Sequence, residues 1–194
     1  MAEPPVVRNL FMVGGILLAA LFGTSCAAEK TMAPAPLKPF LGVTLTSDGT
    51  LSQPQRLEPV VKTDAEWRAQ LAPEVFQVLR SAGTERPFCG GLLHNKGTGY
   101  YVCAGCALPL FHSATKFESG TGWPSFYQEV HPGNVKRIGD TSYGMVRVEI
   151  QCARCGGHLG HVFDDGPEPT HERHCLNSAA LAFVATGTTK PVAP

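Results

Sequence analysis

Two Cys-x-x-Cys motifs constrain more strongly than any other feature what this 194-residue chain can fold into. Cys103 and Cys106 form one motif, and Cys152 and Cys155 form the other. Together they supply four thiolates, which is the ligand set of a closed tetrahedral zinc site. A closed site leaves no coordination position for a substrate, so we interpret the zinc as structural. Two disulfides are the alternative, which the spacing of the motifs on turns disfavours.

The sequence around the motifs predicts a mainly β domain. Residues 145–150 alternate with period two and run into the second motif, and residues 99–102 run into the first. Upstream, Thr63 and Glu66 have the spacing of a helix capping box, and Pro73 suits the first turn of a second helix. We therefore expect two small antiparallel sheets stapled by a structural zinc, with short helices at the N-terminal end of the domain.

The N-terminus has the pattern of an export signal. Arg8 precedes an apolar run over residues 10–22, which is short for a membrane span and typical of a signal-peptide core. Cleavage after Ala27 or Ala28 would release a soluble protein. Alternatively, the segment ending at Cys26 resembles a bacterial lipobox, in which that cysteine is lipidated and attaches the protein to a membrane. An uncleaved anchor is the third alternative. We expect export to the periplasm or cell envelope.

The chain divides into four predicted segments. Residues 1–27 form a signal peptide or lipoprotein signal, 28–62 a linker rich in Pro, Ser and Thr, 63–186 the folded domain, and 187–194 a disordered tail. The formal net charge is zero, with 16 basic and 16 acidic residues. Because there is no basic run, we expect no nucleic-acid partner.

Cys175 is the candidate nucleophile. A reactive thiol needs a positive or hydrogen-bonding environment, and Arg173 and Asn177 lie two residues to either side of it. In a strand, this spacing puts all three side chains on one face. Polar groups at alternate positions are costly in a sealed core but suit the wall of a site. A buried, inert cysteine is the alternative.

Two further segments have residues of chemical interest. His158 and His161 closely follow the second Cys-x-x-Cys motif. Because four thiolates already saturate a zinc ion, we interpret these histidines as acid/base or hydrogen-bonding groups. Trp123 lies in a glycine-rich loop, where an indole is equally compatible with a core position and with the wall of a small apolar pocket.

These pieces together resemble the methionine-R-sulfoxide reductases of the B type. The resemblance rests on residues 122–126, 160–167 and 173–178 and on the two Cys-x-x-Cys motifs, and it covers roughly residues 63–184. It implies an oxidoreductase that reduces methionine-R-sulfoxide, free or in proteins, and so repairs proteins after oxidative stress. It also implies one structural zinc ion as the cofactor.

The resemblance implies roles for the site residues. Cys175 attacks the sulfoxide sulfur and is left as a sulfenic acid. The surrounding roles are water positioning or acid catalysis (His158, His161, with Asn177 and Asp165 in support), stabilisation of the thiolate (Arg173) and packing on the substrate methyl group (Trp123, Phe163).

The chain departs from the family pattern at the second redox cysteine. Many members have that cysteine at the position of Thr121. The remaining cysteine of the domain is Cys89, in a glycine-flanked loop, and we expect it to resolve the sulfenic acid to a disulfide that a thioredoxin-like protein reduces. Otherwise an external thiol must attack the sulfenic acid. His174 is a second departure, and we expect it to pack away from Cys175.

Two rival interpretations remain at this level. A non-enzymatic, zinc-stapled β module that binds a partner explains the four zinc cysteines equally well, because a fold does not fix a function. It does not explain Cys175 together with its polar neighbours. A disulfide-rich secreted domain would contain neither metal nor free thiol.

Overall fold

The computed structural model describes residue 1 and residues 36–186. The strands and helices, in chain order, are β1 (Phe40–Gly42), β2 (Gln55–Leu57), α1 (Asp64–Gln70), α2 (Pro73–Ser81), β3 (Gly99–Cys103), β4 (Pro109–His112), β5 (Lys116–Phe117), β6 (Ser125–Phe126), β7 (Val135–Asp140), β8 (Arg147–Cys152), β9 (His158–Phe163), β10 (Arg173–Leu176) and β11 (Leu181–Ala185). None of the helices in the described residues is long and apolar enough to cross a membrane. The predicted signal segment beyond residue 1, with Cys26, and the predicted tail over 187–194 lie outside the described residues.

The described strands form three antiparallel sheets, which confirms the mainly β prediction. One sheet has six strands in the order β5-β6-β10-β9-β8-β7, and a second has three in the order β11-β3-β4. The third pairs β1 with β2. The two larger sheets hold one Cys-x-x-Cys motif each, because β3 ends at Cys103 and β8 ends at Cys152. These are the two sheets that the sequence predicts to be stapled together.

The two helices begin where their capping residues predict. Thr63 and Glu66 form the capping box: the Glu66 amide donates to the Thr63 hydroxyl, and the Thr63 amide donates to the Glu66 carboxylate. Pro73 opens α2, and the preceding Ala72 makes no side-chain cap bond. Trp67 of α1 is buried in the core. The helices therefore cover the sheets with their apolar sides.

Part of the segment predicted as a linker is structured. Strands β1 and β2 lie within residues 28–62, and Leu57 is buried. The side chain of Asn134 holds this hairpin, because its amide nitrogen donates to Val43 O at 2.9 Å and its oxygen accepts from Val43 N at 3.0 Å. The domain therefore begins earlier than residue 63. Three-residue strands are too short to give a periodic signal in a segment rich in proline and serine.

The pairing of β9 with β10 determines which side chains surround Cys175. His161 lies directly opposite Cys175, and Phe163 lies opposite Arg173. Directly opposite residues of antiparallel strands share a face, so these four side chains lie on one side of the sheet. The strands approach closely at Gly160, where a Cβ atom would lie 2.0 Å from the carbonyl oxygen of Cys175.

The chain leaves β10 through a 3-10 turn, Ser178–Ala180, and β11 starts at Leu181. This turn redirects the chain from the six-stranded sheet to the three-stranded one. His174 lies on the face opposite Cys175, fully buried against Phe111 and bonded to the Phe126 carbonyl, as expected.

Candidate active site and metal centre

The four cysteines of the two motifs converge on one point. Their sulfur atoms all lie within 4.8 Å of one another. The Cys103 and Cys155 sulfurs are 3.7 Å apart, and those of Cys106 and Cys152 are 3.5 Å apart. A tetrahedral ion with metal–sulfur bonds of about 2.3 Å requires sulfur separations of about 3.8 Å, whereas a disulfide requires about 2.05 Å. The donor set therefore fits a tetrahedral zinc ion, and none of these cysteines is paired as a disulfide.

The two Cys-x-x-Cys turns have the same local structure. The Ala107 amide donates to Cys103 O, and the Gly156 amide donates to Cys152 O, each at 2.8 Å. Both donors have left-handed backbone, with φ of 57° and 69°. The same turn geometry points each pair of thiols inward. Burial raises the pKa of the Cys152 thiol, so the cluster needs a cation before its thiolates can coexist.

Cys175 lies beside a cavity of about 140 Å³. Its walls combine the aromatic rings of Trp123 and Phe163 with the polar side chains of His161 and Asn177. The structure thus brings together five of the side chains that the sequence predicts for the site. The cavity has both an apolar surface and hydrogen-bonding groups next to a thiol, which is the composition of a small-molecule site.

The thiol of Cys175 is half-buried, and two opposing effects act on its ionisation. Burial raises the pKa of Cys175, and the positive charge of Arg173 opposes that rise. The thiol has a hydroxyl neighbour, because Thr121 Oγ1 lies 4.0 Å from the Cys175 sulfur. Arg173 therefore acts in the predicted direction, but burial outweighs it and the net pKa of the Cys175 thiol is raised.

Asp165 and Phe163 hold the Arg173 side chain in place. Its Nε and Nη2 atoms donate to the two carboxylate oxygens of Asp165 at 2.8 and 3.0 Å. Its guanidinium lies 4.4 Å from the centre of the Phe163 ring. Bidentate pairing holds a guanidinium in one orientation. Asp165 therefore orients the Arg173 guanidinium, which makes it a positioning residue, and its own negative charge raises the pKa of Cys175.

Each site histidine is paired with a carboxylate that the sequence analysis missed. His161 Nε2 lies 2.9 Å from Asp140 Oδ2, and His158 Nδ1 lies 2.6 Å from Glu149 Oε1. A carboxylate only accepts hydrogen bonds. In each neutral ring, the nitrogen that carries the proton is therefore the one that contacts the carboxylate. The other ring nitrogen then presents a lone pair.

In each histidine, the ring nitrogen that does not contact the carboxylate is available to accept a hydrogen bond. His158 Nε2 is buried and has no partner in the described part of the chain. Burial lowers the pKa of His161, so the neutral ring is favoured there. The two rings are 5.6 Å apart between centroids. An acceptor nitrogen on each ring suits a water molecule, which can donate to the ring and relay a proton to a substrate oxygen.

Strand pairing explains why the carboxylates were missed. Asp140 ends β7 directly opposite Arg147 of β8, whose Nη2 donates to Asp140 Oδ2 at 2.6 Å. Glu149 lies opposite His161 across the β8–β9 pair. The alternation of residues 145–150 predicts a strand, but it contains no information about which strand lies beside it. The sequence could have pointed to these two acids only if the pairing register of β7, β8 and β9 had been known.

A glutamate that the sequence analysis also missed connects the walls of the cavity. The Glu85 amide donates to Asn177 Oδ1 at 3.0 Å, and its carbonyl accepts from Trp123 Nε1 at 3.2 Å. Its carboxylate accepts the Ser178 and Ala179 amides at 2.7 and 3.0 Å. One residue thus holds both the indole and the amide side chain at the cavity.

Cys89 lies on the same loop, four residues beyond Glu85, and its free thiol is exposed. The loop contacts the glycine-rich segment of the site, because the Phe88 amide donates to Gly122 O at 2.8 Å. A Cβ atom on Gly122 would lie 2.7 Å from Pro87, so glycine permits this close approach. The Cys89 loop is therefore packed against the segment that contains Thr121 and Trp123.

Comparisons with known proteins identify the family of the chain. Residues 71–185 match the model of the SelR domain. Proteins named peptide methionine sulfoxide reductase MsrB are similar to the chain: that of Methanosarcina mazei is 55% identical over 124 residues, covering 64% of this chain and 89% of the relative. The protein of Leptospira interrogans is 56% identical, with 64% and 95% covered. That of Xylella fastidiosa strain M23 is 49% identical over 147 residues, with 76% and 90% covered. Because the family model matches more than half of the chain and these relatives are aligned over nearly their whole length, the chain belongs to the MsrB family of peptide methionine sulfoxide reductases.

Proposed function

We propose that this enzyme reduces the R epimer of methionine sulfoxide, free or within proteins, with Cys175 as the nucleophile. One observation carries the proposal: the Cys175 thiol adjoins a cavity that is lined both by aromatic rings and by the polar side chains of His161 and Asn177. Trp123 and Phe163 offer an apolar contact for the substrate methyl group. His161 and Asn177 lie where a sulfoxide oxygen needs hydrogen-bonding groups. Apolar and polar walls together fix the orientation of the S=O bond and so select one epimer.

The chemistry transfers one oxygen atom. The Cys175 thiolate forms a transient bond to the sulfoxide sulfur while the oxygen takes up a proton; this S–S bond and the S–O bond of the substrate then break as the hydroxyl is transferred to the Cys175 sulfur. The products are methionine and a sulfenic acid on Cys175. His161, in contact with the cavity, takes the proton that the Cys175 thiol loses and passes it to the oxygen directly or through water, and Asp140 stabilises the imidazolium while it exists. His158 accepts from the same water through its unpartnered Nε2.

Arg173 supplies the positive charge that ionisation of the Cys175 thiol needs. The positive charge beside Cys175 favours the thiolate, although burial raises the pKa of the free thiol. Asp165 keeps that charge aimed by its bidentate contact. We therefore expect Arg173→Lys to lose activity even though it keeps the charge, since a lysine cannot reproduce the fork geometry.

The zinc ion of this proposal has a structural role. Cys103, Cys106, Cys152 and Cys155 would hold one ion, which supplies a crosslink between the two larger sheets when bound. No catalytic step needs it, because four thiolates complete a tetrahedral shell. Helix α2 supports one side of the site, since Arg80 Nη1 donates to the Cys155 carbonyl at 2.9 Å.

We propose Cys89 as the resolving cysteine. The thiol attacks the sulfenic sulfur of Cys175, water leaves, and a disulfide forms that a thioredoxin-like protein reduces. The exposure of Cys89 and the packing of its loop against Gly122 support this assignment. Cys89→Ser should keep single-turnover reduction and lose most turnover with thioredoxin, while dithiothreitol sustains it. Unchanged turnover with thioredoxin would remove Cys89 from the mechanism.

The principal test uses the separated R and S epimers of a protected methionine sulfoxide. The zinc-loaded protein and its Cys175→Ser variant are incubated with each epimer and dithiothreitol. We expect reduction of the R epimer alone, abolished in the variant. Reduction of the S epimer, or reduction of the R epimer by the variant, would refute the proposed site. If the folded, zinc-loaded protein reduces neither epimer, the proposed activity is refuted.

A further inference from the structure

Met145 is the single methionine of residues 36–186. It lies between the 3-10 turn Ser142–Gly144 and the start of β8. Its side chain is 47% exposed, and the next residue, Val146, is 92% exposed. A thioether in this position is open to a dissolved oxidant and to the surface of another protein. Methionine sulfoxide is the product when a peroxide reaches such a group.

The Met145 turn is also part of the rim of the active site. The Met145 amide donates to Ser142 O at 3.2 Å, and the Ser142 amide donates to Asp140 Oδ1 at 2.9 Å. Asp140 in turn contacts His161. On the other side, Arg147 lines the cavity beside Cys175. The only methionine of the described domain therefore lies within a few residues of groups that define the candidate site.

We propose that Met145 is an oxidation site and that its R-sulfoxide is a substrate of this same protein, reduced in trans by a second copy. The proposal rests on the proposed function. Hydrogen peroxide adds one oxygen to the Met145 sulfur and leaves as water. The Cys175 thiolate of another molecule takes that oxygen with a proton, which regenerates methionine and leaves a sulfenic acid. A dithiol reductant returns the sulfenic acid to the thiol and releases water.

The local structure favours repair between molecules over repair within one. The Met145 backbone is held on its N-terminal side by the bond to Ser142 O. On its C-terminal side, Arg147 is paired with Asp140 in the β7–β8 ladder and also bonds its carboxylate at 2.6 Å. These contacts hold the backbone on both sides of Met145 and so restrict how far its side chain can turn toward the cavity of its own molecule. The same side chain is exposed and therefore open to contact with a second molecule.

The test uses the full chain in two forms. The Cys175→Ser variant, which cannot reduce itself, is treated with hydrogen peroxide, quenched with catalase and incubated with dithiothreitol. A catalytic amount of untreated wild-type protein is then added. Trypsin releases Met145 in the fragment 138–147, whose gain of one oxygen is followed by mass spectrometry. Met145→Leu in the Cys175→Ser background is the matched control, since its fragment has no thioether to oxidise.

We expect the oxidised fraction of the 138–147 fragment to fall by about half, because peroxide yields both epimers at sulfur and the site takes one. Without wild-type protein it should not fall. An unchanged oxidised fraction, from an enzyme that reduces the R epimer of protected methionine sulfoxide in a parallel tube, overturns this inference alone. If the parallel tube also shows no reduction, the proposed function fails with it. If the sulfoxide of Met145 is reduced in oxidised wild-type protein but not in the Cys175→Ser variant, reduction by a second molecule is refuted.

Discussion

Replacing Glu85 with alanine tests how the cavity walls are held. The carboxylate accepts two backbone amides of the 3-10 turn that follows the nucleophile strand, those of Ser178 and Ala179. The backbone of Glu85 holds Asn177 and Trp123. Removing the side chain leaves the two amides without this acceptor and frees the loop that positions the walls.

The size of the effect follows from these two bonds. A hydrogen bond to a charged acceptor contributes about 1.5–3 kcal/mol to stability. Glu85 is only partly buried, so solvent screens its charge and we use the lower part of that range. Glu85→Ala should therefore lower the free energy of unfolding by about 3–4 kcal/mol, which for a domain of this size lowers the melting temperature by roughly 6–16 °C. Glu85→Gln should recover part of the loss.

The assay combines thermal unfolding with steady-state kinetics on the R epimer. We expect KM to rise more than kcat falls, because the loop holds the walls that contact the substrate and not the attacking thiol. Glu168→Ala is the matched control, because that carboxylate is 79% exposed and its ion-pair partner is the exposed His171. If the melting temperature of Glu85→Ala lies within about one degree of that of the control, the hydrogen bonds of the Glu85 carboxylate contribute nothing to stability, and this reasoning is refuted.

Three other changes test the metal centre, the Asp140 carboxylate and the strand contact. Cys152→Ser should lose the metal and several kcal/mol of stability, because metal binding and folding are coupled; metal content by mass spectrometry decides, and an equally stable, metal-free variant contradicts it. Hydrogen bonds from Ser142 hold the pKa of Asp140 well below its usual value, so the stability from this carboxylate is present above about pH 4 and is lost as the pH falls further. Asp140→Asn should accordingly be less stable than wild type at pH 7, and its denaturation midpoint should converge with that of wild type in acid; a constant difference would contradict this. Gly160→Ala should cost about 1–3 kcal/mol, since its Cβ atom meets a backbone oxygen of β10 at 2.0 Å, whereas Gly139→Ala meets nothing within 4 Å and should change stability by less than about 0.5 kcal/mol in the same urea titration.

Local chemistry made several features predictable. The capping box at Thr63 and the proline start of α2 are decided by neighbouring residues, and the structure has both. The Cys-x-x-Cys motifs specify a metal site because each motif needs only one turn to present two thiols. The alternation of Arg173, Cys175 and Asn177 predicted a shared site, and two of these line the cavity.

Other features depend on contacts between distant segments. Asp140 and Glu149 face the histidines only because β7, β8 and β9 pair in one register, and a shift of one residue would turn both acids to the other face. The hairpin of β1 and β2 is held by Asn134, whose partner Val43 lies 91 residues away in sequence. No local pattern contains these pairings.

The sequence by itself determined the inventory on which the proposed chemistry depends: four thiols that could hold a metal ion, the cysteine proposed as the nucleophile and the residues that identify its family. Spacing along the chain is enough for these, because turns and strands convert short spacings directly into geometry. The tertiary structure alone decided how that inventory is tuned. It buried Cys175 against the charge of Arg173, paired each histidine with a carboxylate and placed Glu85 between the cavity walls. Burial and partner choice set ionisation and orientation, and both depend on which distant strands lie side by side.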